Sequence, residues 1–300
     1  MTSDGAYLVG REIATELPPG QCGTDRLYAA IRADESTFKN VKFKHCTFAN
    51  VSFKNCVFKQ AEFSDCAFID CYFRATRLEK CTFAGCKFLG SDLSKIDIRS
   101  CDFRYYNSFV SCFIKHAQLK ESLPSEGNLK AHLCENLAKE AKKAGFRYDE
   151  ELYRQDGAKA LEGHLRDAVR GAAPWFKEHY KGIERVVAAR KWGASRLRGY
   201  AWGYRRSWLV VLRNWAVLTL LVFPVLFLCG PGLKRGGKPA SAGDAWLASL
   251  GNMLPGSGIS DVEFVSSYSF TLAFVEALAG LLFAALVAAL LFASVFERDR

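Results

Sequence analysis

Catalytic residues in a recognisable setting are what this sequence lacks. Its five histidines, at positions 45, 116, 132, 164 and 179, are scattered. No Gly-rich phosphate loop or metal motif follows a strand pattern, and no Ser or Cys occupies a nucleophile setting. Neither an enzyme nor a cofactor is expected. The first twenty residues also lack the apolar run of a signal peptide. With eleven cysteines in the chain, that absence points to a reducing compartment and not to a disulfide scaffold. A metal site from His45, Cys46, Cys66 and Cys71 can be assembled on paper, but its spacings match no zinc pattern.

What is plentiful is phenylalanine in phase. Every fifth residue from Phe38 to Phe103 is large and apolar: Phe38, Phe43, Phe48, Phe53, Phe58, Phe63, Phe68, Phe73, Leu78, Phe83, Phe88, Leu93, Ile98 and Phe103. Two places before each comes a small or β-branched residue, with Cys46, Cys56, Cys66, Cys71, Cys81, Cys86 and Cys101 among them. Eleven of the 23 Phe and seven of the 11 Cys fall in these two columns, which explains most of the thiols as small buried apolar side chains. A period of five suits neither a helix nor a flat strand. Turn formers two places after the large residue (Asn40, Asn50, Asn55, Asp65, Asp70, Gly85, Gly90) suit a corner once per repeat, and four corners close a square coil of about twenty residues. Stacked coils place Phe on Phe, and Cys46, Cys66 and Cys86 in one column. After Phe103 the phase slips: Phe109 comes six residues on, Phe113 is back in register and Leu119 is out again, so the coil is expected to close at Leu123 and Pro124.

These fourteen repeats resemble the pentapeptide-repeat family. The resemblance implies a right-handed four-sided β-helix, here followed by an α-helical linker and two transmembrane helices. The expected divisions are 1–35, a cap or partly disordered; 36–123, the solenoid; 124–207, a helical linker; and 208–300, a two-span module. Its core is expected to hold Phe43, Cys46, Phe48, Phe53, Phe63, Cys66, Phe68, Phe73, Phe83, Cys86, Phe88 and Phe103. Some members of the family mimic DNA and bind type II topoisomerases, but residues 36–105 carry twelve Lys or Arg against seven Asp or Glu, which opposes mimicry of a polyanion. Nucleic acid is not an expected partner; a protein partner of unknown kind on the solenoid is.

Leu129, Leu133 and Leu137 with Gly145 as a stop predict one helix of a hairpin, and residues 149–169 the other. Phe176, Tyr180, Ile183 and Val187 then mark one face of a basic amphipathic helix ending at Trp192, either lying on a membrane or simply solvated on its charged side. Residues 208–229, interrupted by Arg213 and Asn214, and 277–296, without a charge, are each long enough to cross a bilayer. Nine Lys or Arg in residues 177–206 against three in 230–269 predict both termini on the cytoplasmic side.

Between the spans, the apolar residues 245–254 end in a Pro-Gly turn, the layout of a tetrameric channel's pore loop. Many bacterial pentapeptide-repeat proteins end in such a potassium-channel-like module, preceded by a segment similar to Trp202-Gly203-Tyr204, and this resemblance implies the bacterial inner membrane. No Thr-Val-Gly-Tyr-Gly filter is present, so potassium selectivity does not carry over. Asp261, Glu263 and Glu276 are candidates for a pore mouth or an outer interface, and Gly280, Ala284 and Ala288 for helix packing by small residues. The expectation is a membrane protein with an oligomeric, channel-like two-span module; the alternative is an interaction scaffold that the spans merely tether.

Overall fold

The five-residue phase becomes a four-sided coil because the backbone turns a corner once per repeat. From Asn40 to Tyr105, the residue two places after each large one has φ between 51° and 65°. Asn, Asp and Gly adopt this left-handed region readily. Gln60, Ala75 and Lys80 do not, and each is held there by the neighbouring coil, as when Gln60 N–H donates to Glu79 O at 2.9 Å. The computed structural model describes residues 12–14, 16–17, 20, 22–202, 208–253 and 262–296. It divides into two units, residues 1–195 and 196–300.

In the first unit, three sides of the coil are parallel sheets. One holds Glu12–Ala14, Arg26–Ala29, Thr47–Ala49, Ala67–Ile69, Lys87–Leu89 and Ser108–Val110; the second Thr37–Lys39, Val57–Lys59, Arg77–Glu79 and Asp97–Arg99; the third Gly23–Thr24, Lys42–Lys44, Glu62–Ser64, Thr82–Ala84 and Asp102–Arg104. The fourth side is a ladder of single bridges through Arg32, Ser52, Tyr72 and Asp92. Register is a twenty-residue offset: Phe43 pairs with Phe63, Phe63 with Phe83, and Phe83 with Phe103. Coil strands also reach into residues 12–29, where Tyr28 pairs with Phe48 and stacks on its ring at 5.0 Å.

All twelve of the expected core residues are buried. Rings of successive coils lie nearly parallel, with centroids 4.7 Å apart for Phe38 and Phe58 and 4.8 Å for Phe68 and Phe88. This spacing is that of the strands themselves, so each ring stacks where its backbone pairs.

The end of the solenoid corrects the expected phase. A single extra residue near Tyr105 and Tyr106 shifts the register to a 21-residue offset, so Phe88 pairs with Phe109 and Cys86 N–H donates to Asn107 Oδ1. From there Phe109, Ile114 and Leu119 are the buried large residues. Phe113 is out of phase and stacks on Phe146 at 4.2 Å instead. The buried amide of Asn107 meets its hydrogen-bonding demand by also donating to the carbonyls of Phe83 and Arg104.

Helix α1 (His116–Leu119) continues the last coil, and α2 (Gly127–Lys143) and α3 (Arg147–Arg170) form a hairpin closed at Gly145 with φ of 80°. Leu133, Cys134, Leu137, Ala138 and Tyr153 join the solenoid's own core. Downstream, the continuous amphipathic helix expected from Phe176 is broken into α4 (Pro174–His179) and α5 (Ile183–Trp202). Gly182, at φ of 52°, makes the break. The expected stripe splits with it: Phe176 and Tyr180 pack against Leu165, Ala168 and Ala188, whereas Ile183 and Val187 are exposed.

In the second unit, α6 (Trp208–Val217), a π turn (Leu218–Val222) and α7 (Phe223–Cys229) form one apolar helix. Then α8 (Ala242–Met253) and α9 (Ser267–Phe296) follow, with a small antiparallel sheet of Leu233–Arg235, Lys238–Pro239 and Val262–Phe264. Leu209–Cys229 and Ser267–Ala289 are both long and apolar enough to span a membrane. The second begins ten residues before the expected run because Ser266 caps it: Ser269 N–H donates to Ser266 Oγ at 3.1 Å, and Ser266 N–H to Ser269 Oγ at 3.2 Å. Glu276 therefore lies inside the helix, not at its start.

Candidate functional site

The inward-facing thiols of the solenoid pack against the coil below. Cys71 Sγ points at Phe48 O at 3.3 Å, and Cys86 Sγ at Phe63 O at 3.3 Å, one coil below in each case. Burial pushes the thiols of Cys56 and Cys112 up to about 11 and that of Cys71 up to about 12, so they stay protonated. His45 is on the outside near Asp65, away from the inward-facing Cys46, Cys66 and Cys71. Among the described residues, no group of three or more His, Cys, Asp or Glu is arranged to hold a metal.

The solenoid's outer face carries charges in matched rows. Lys42 meets Glu62 at 3.0 Å, Lys59 meets Glu79 at 3.1 Å, and Asp97 lies between Arg77 at 3.2 Å and Arg99 at 2.8 Å. Arg99 first, then Arg77, holds the Asp97 carboxyl below its ordinary value. Pairs this exposed contribute little to stability; they leave a surface without a strong field of one sign. A cleft of about 830 Å³ lies beside it, lined by Tyr106, Asn128, Lys159, His164, Trp175 and Phe176 among others. His164 Nε2 shares a 3.0 Å hydrogen bond with Tyr180 OH, and burial holds its imidazole below the ordinary value for histidine.

The most demanding chemistry is in the second unit, where α8 lies against both apolar helices. Ala245, Ala248 and Met253 of α8 share a core with Phe223 and Phe227 of α7 and Ala273 of α9. Asp244 fixes the start of α8 by accepting from the Ser241 hydroxyl at 2.7 Å, the Ser241 N–H at 2.9 Å and Arg235 at 2.7 Å, which holds its carboxyl down at about 2. Further along, Ser249 Oγ contacts a carboxylate oxygen of Glu276 and lies 2.8 Å from Thr219 O, and Asn252 Nδ2 lies 3.3 Å from the other Glu276 oxygen. Gly280 makes room for the end of α8: a Cβ there would come within 2.7 Å of Met253 O.

The sequence-derived candidates thus have different fates. Glu276 is fully buried, facing α8 and not an open mouth. Glu263 is exposed on a strand opposite Lys234, and Asp261 lies outside the described residues. Gly280 packs within its own chain, whereas Ala284 and Ala288 are exposed. Gly203 and Tyr204, from the Trp-Gly-Tyr segment, also lie outside the described residues. Ser249, Asn252 and Thr219 were not among the candidates. The signal for them was Pro224, five residues after Thr219, which removes a backbone donor from the apolar stretch.

Comparison with known proteins bears on the first unit. The family described as "pentapeptide repeat region" matches residues 36–123. Two trypsin-treated variants of QnrB1, a plasmid-mediated fluoroquinolone resistance protein, are similar solved structures. One is 15% identical with a TM-score of 0.22, the other 13% identical with a TM-score of 0.15. Each match covers 32% of this chain and 56% of the other. No curated protein sequence matches the chain. The five-residue phase, the twenty-residue register and the family match agree: residues 36–123 match the pentapeptide-repeat model and fold as a parallel β-solenoid, in a chain that also has two helices apolar enough to cross a membrane.

Proposed function

We propose that the chain is an integral membrane protein whose solenoid lies on the cytoplasmic side and whose residues 208–300 form an oligomeric, ion-channel-like module. The carrying observation is α8, a twelve-residue helix too short to span, packed against both apolar helices. A short helix folded back between two spans is a pore-lining element when several chains meet on an axis. Exposure supports the same reading: Phe270, Phe274, Val275, Leu278, Leu281 and Leu282 of α9 are bare in the single chain, a surface suited to lipid or to further copies. On this reading the protein is not an enzyme, and the solenoid's charged faces serve a protein partner on the basic, cytoplasmic side of the membrane. The number of chains per assembly in native nanodiscs tests it. Several chains support a pore; a monomer leaves a membrane-tethered scaffold, with the solenoid carrying the function.

A further inference from the structure

The hydrogen-bond inventory around Ser249 leaves one proton unassigned. In the π turn, Phe223 N–H donates to Leu218 O, five residues back. In that register, Thr219 O would accept from residue 224, but residue 224 is Pro and has no N–H. The Thr219 carbonyl is therefore left over by its own helix, and the Ser249 hydroxyl at 2.8 Å supplies the missing donor. A serine has one O–H hydrogen. With that hydrogen committed to Thr219 O, the close contact between Ser249 Oγ and Glu276 is a hydrogen bond only when the carboxyl group brings its own proton. An ionised Glu276 would compete with Thr219 O for the single hydrogen, leaving one buried acceptor empty in an apolar setting.

Among the described residues, no charge is paired with Glu276. Among the described residues of the elements around it, the titratable or charged groups are Arg213 and Cys229 on the first apolar helix, Asp244 on α8, and Lys234, Arg235, Lys238 and Glu263 on the small sheet. Arg213 lies over the Tyr200 ring and donates to Asn214 Oδ1. Asp244 is engaged by Ser241 and Arg235, Glu263 pairs across strands with Lys234, and Lys238 and Cys229 are exposed. Among the described residues, the partners of Glu276 are neutral, Ser249 and Asn252.

We propose that Glu276, Ser249 and the Thr219 carbonyl form a buried proton-binding site, a relay Glu276 O–H to Ser249 O–H to Thr219 C=O, that seats α8 on the first apolar helix. Asn252 completes it by donating to the second oxygen of Glu276. The proton is the ligand, and its loss uncouples α8 from the helix on either side. Because an ionised Glu276 and the Thr219 carbonyl would compete for the single hydrogen of Ser249, loss of the proton leaves one of them unsatisfied, so docking is favoured at low pH and weakens as pH rises. The inference deepens the reading of residues 208–300 as a membrane module, where no water is at hand to satisfy the Thr219 carbonyl.

The test uses the full chain in nanodiscs, followed by infrared difference spectroscopy and by hydrogen exchange of residues 242–253. Wild type should show a protonated-carboxyl C=O band at neutral pH that is lost in Glu276→Gln and shifted in Ser249→Ala. Exchange protection of α8, corrected for intrinsic base catalysis, should fall by up to about tenfold per pH unit as the band disappears in wild type. It should stay flat in Glu276→Gln, whose amide still donates to Ser249. A carboxyl band identical in wild type and Glu276→Gln, or α8 protection with the same pH dependence in both, overturns the proposal. Should Glu276→Gln not fold, the Ser249→Ala band decides alone, an unshifted band counting against the site. Repeating the spectra in detergent micelles separates this result from the membrane assignment, which extraction behaviour tests independently.

Discussion

Asn136 of α2 takes the place of the next strand for Phe109. Its Oδ1 accepts from Phe109 N–H at 2.7 Å, and its Nδ2 donates to Phe109 O at 3.0 Å. One side-chain amide thus makes both hydrogen bonds of a ladder residue. Nearby, Glu140 accepts from Ser111 N–H at 2.8 Å, and Tyr153 OH donates to Ile114 O at 3.0 Å. The helical hairpin ends the solenoid by satisfying its last edge, which would otherwise present unpaired groups to another chain.

The cap is therefore part of the folding unit. Asn136→Ala should destabilise the solenoid by about 2 kcal/mol, because two partly buried backbone groups lose their partner. Asn136→Asp should fall between the two, retaining the acceptor for Phe109 N–H and losing the donor. A fragment of residues 1–125 should melt well below one of residues 1–172 and aggregate at lower concentration. Equal melting of the two fragments by circular dichroism would show that the hairpin only rests on the edge.

The two inward columns make different demands. Phe63→Asp or Cys66→Asp buries an unpaired charge between coils, at a cost of several kcal/mol, roughly 3–5. Cys66→Ser should instead stay within about 1 kcal/mol of wild type, because the column already accommodates hydroxyls. Ser91 Oγ donates to Phe68 O at 3.2 Å, and Thr76 Oγ1 to Phe53 O at 2.5 Å, the same relation that Cys66 Sγ has to Phe43 O at 3.4 Å. Urea titration of the three variants checks the ranking.

The solenoid was legible because a five-residue spacing has one physical solution: a large residue in, a small residue in, and a corner. Where that spacing broke, periodicity misled. Phe113 looks like a return to phase, but one inserted residue carries the register to Ile114, and only the amide of Asn107, able to replace a thiol's contacts in the small column, marks it. The break at Gly182 was hidden because the apolar stripe runs on across it. Burial of Glu276 was not visible either, since a charge beside an apolar run reads as an end, and the Ser266 cap lies ten residues earlier. Tertiary contacts such as Gly280 against Met253 leave only a small residue in the sequence, which fits packing on any neighbour.

His164 gives the helical region a pH dependence. Its folded form binds a proton less readily than the ordinary value of 6.5, chiefly because it is partly buried between α3 and the aromatic residues of α4. Unfolding then takes up a proton as pH falls, so the stabilising contribution is complete above that ordinary value and is lost below it. The melting temperature of the 1–195 unit should drop from pH 7.5 to 5, and the drop should shrink in His164→Gln. An unchanged pH profile in that variant would assign the effect to other groups.

The proposed membrane placement rests on the charge contrast across the first apolar helix. Reporter fusions after residues 206 and 300 should be active on the cytoplasmic side, and one near residue 242 on the outer side. The protein should leave membranes in detergent and remain in high salt or alkaline carbonate. Extraction by salt alone would mean that Leu209–Cys229 and Ser267–Ala289 are covered by protein and not by lipid.

Conduction is the furthest consequence, and the packing of α9 says which substitutions separate assembly from internal structure. Gly280 is in contact with Met253 of its own chain, so Gly280→Leu should displace α8 and abolish current even where chains still associate. Ala284 and Ala288, one and two turns further along, are exposed in the single chain and available to a copy. Ala284→Leu with Ala288→Leu should weaken assembly while leaving α8 protected from hydrogen exchange. Reconstituted wild type should give unitary currents. Neutralising the exposed Glu263 should alter cation preference if that strand borders the pore, whereas Glu276, buried against Ser249, should act on opening and not on permeation. Without a Thr-Val-Gly-Tyr-Gly ladder of carbonyls, potassium should not be strongly preferred over sodium. Electrically silent bilayers containing oligomers would remove the channel reading; silent bilayers containing monomers would favour a solenoid held at the membrane by a hydrophobic hairpin.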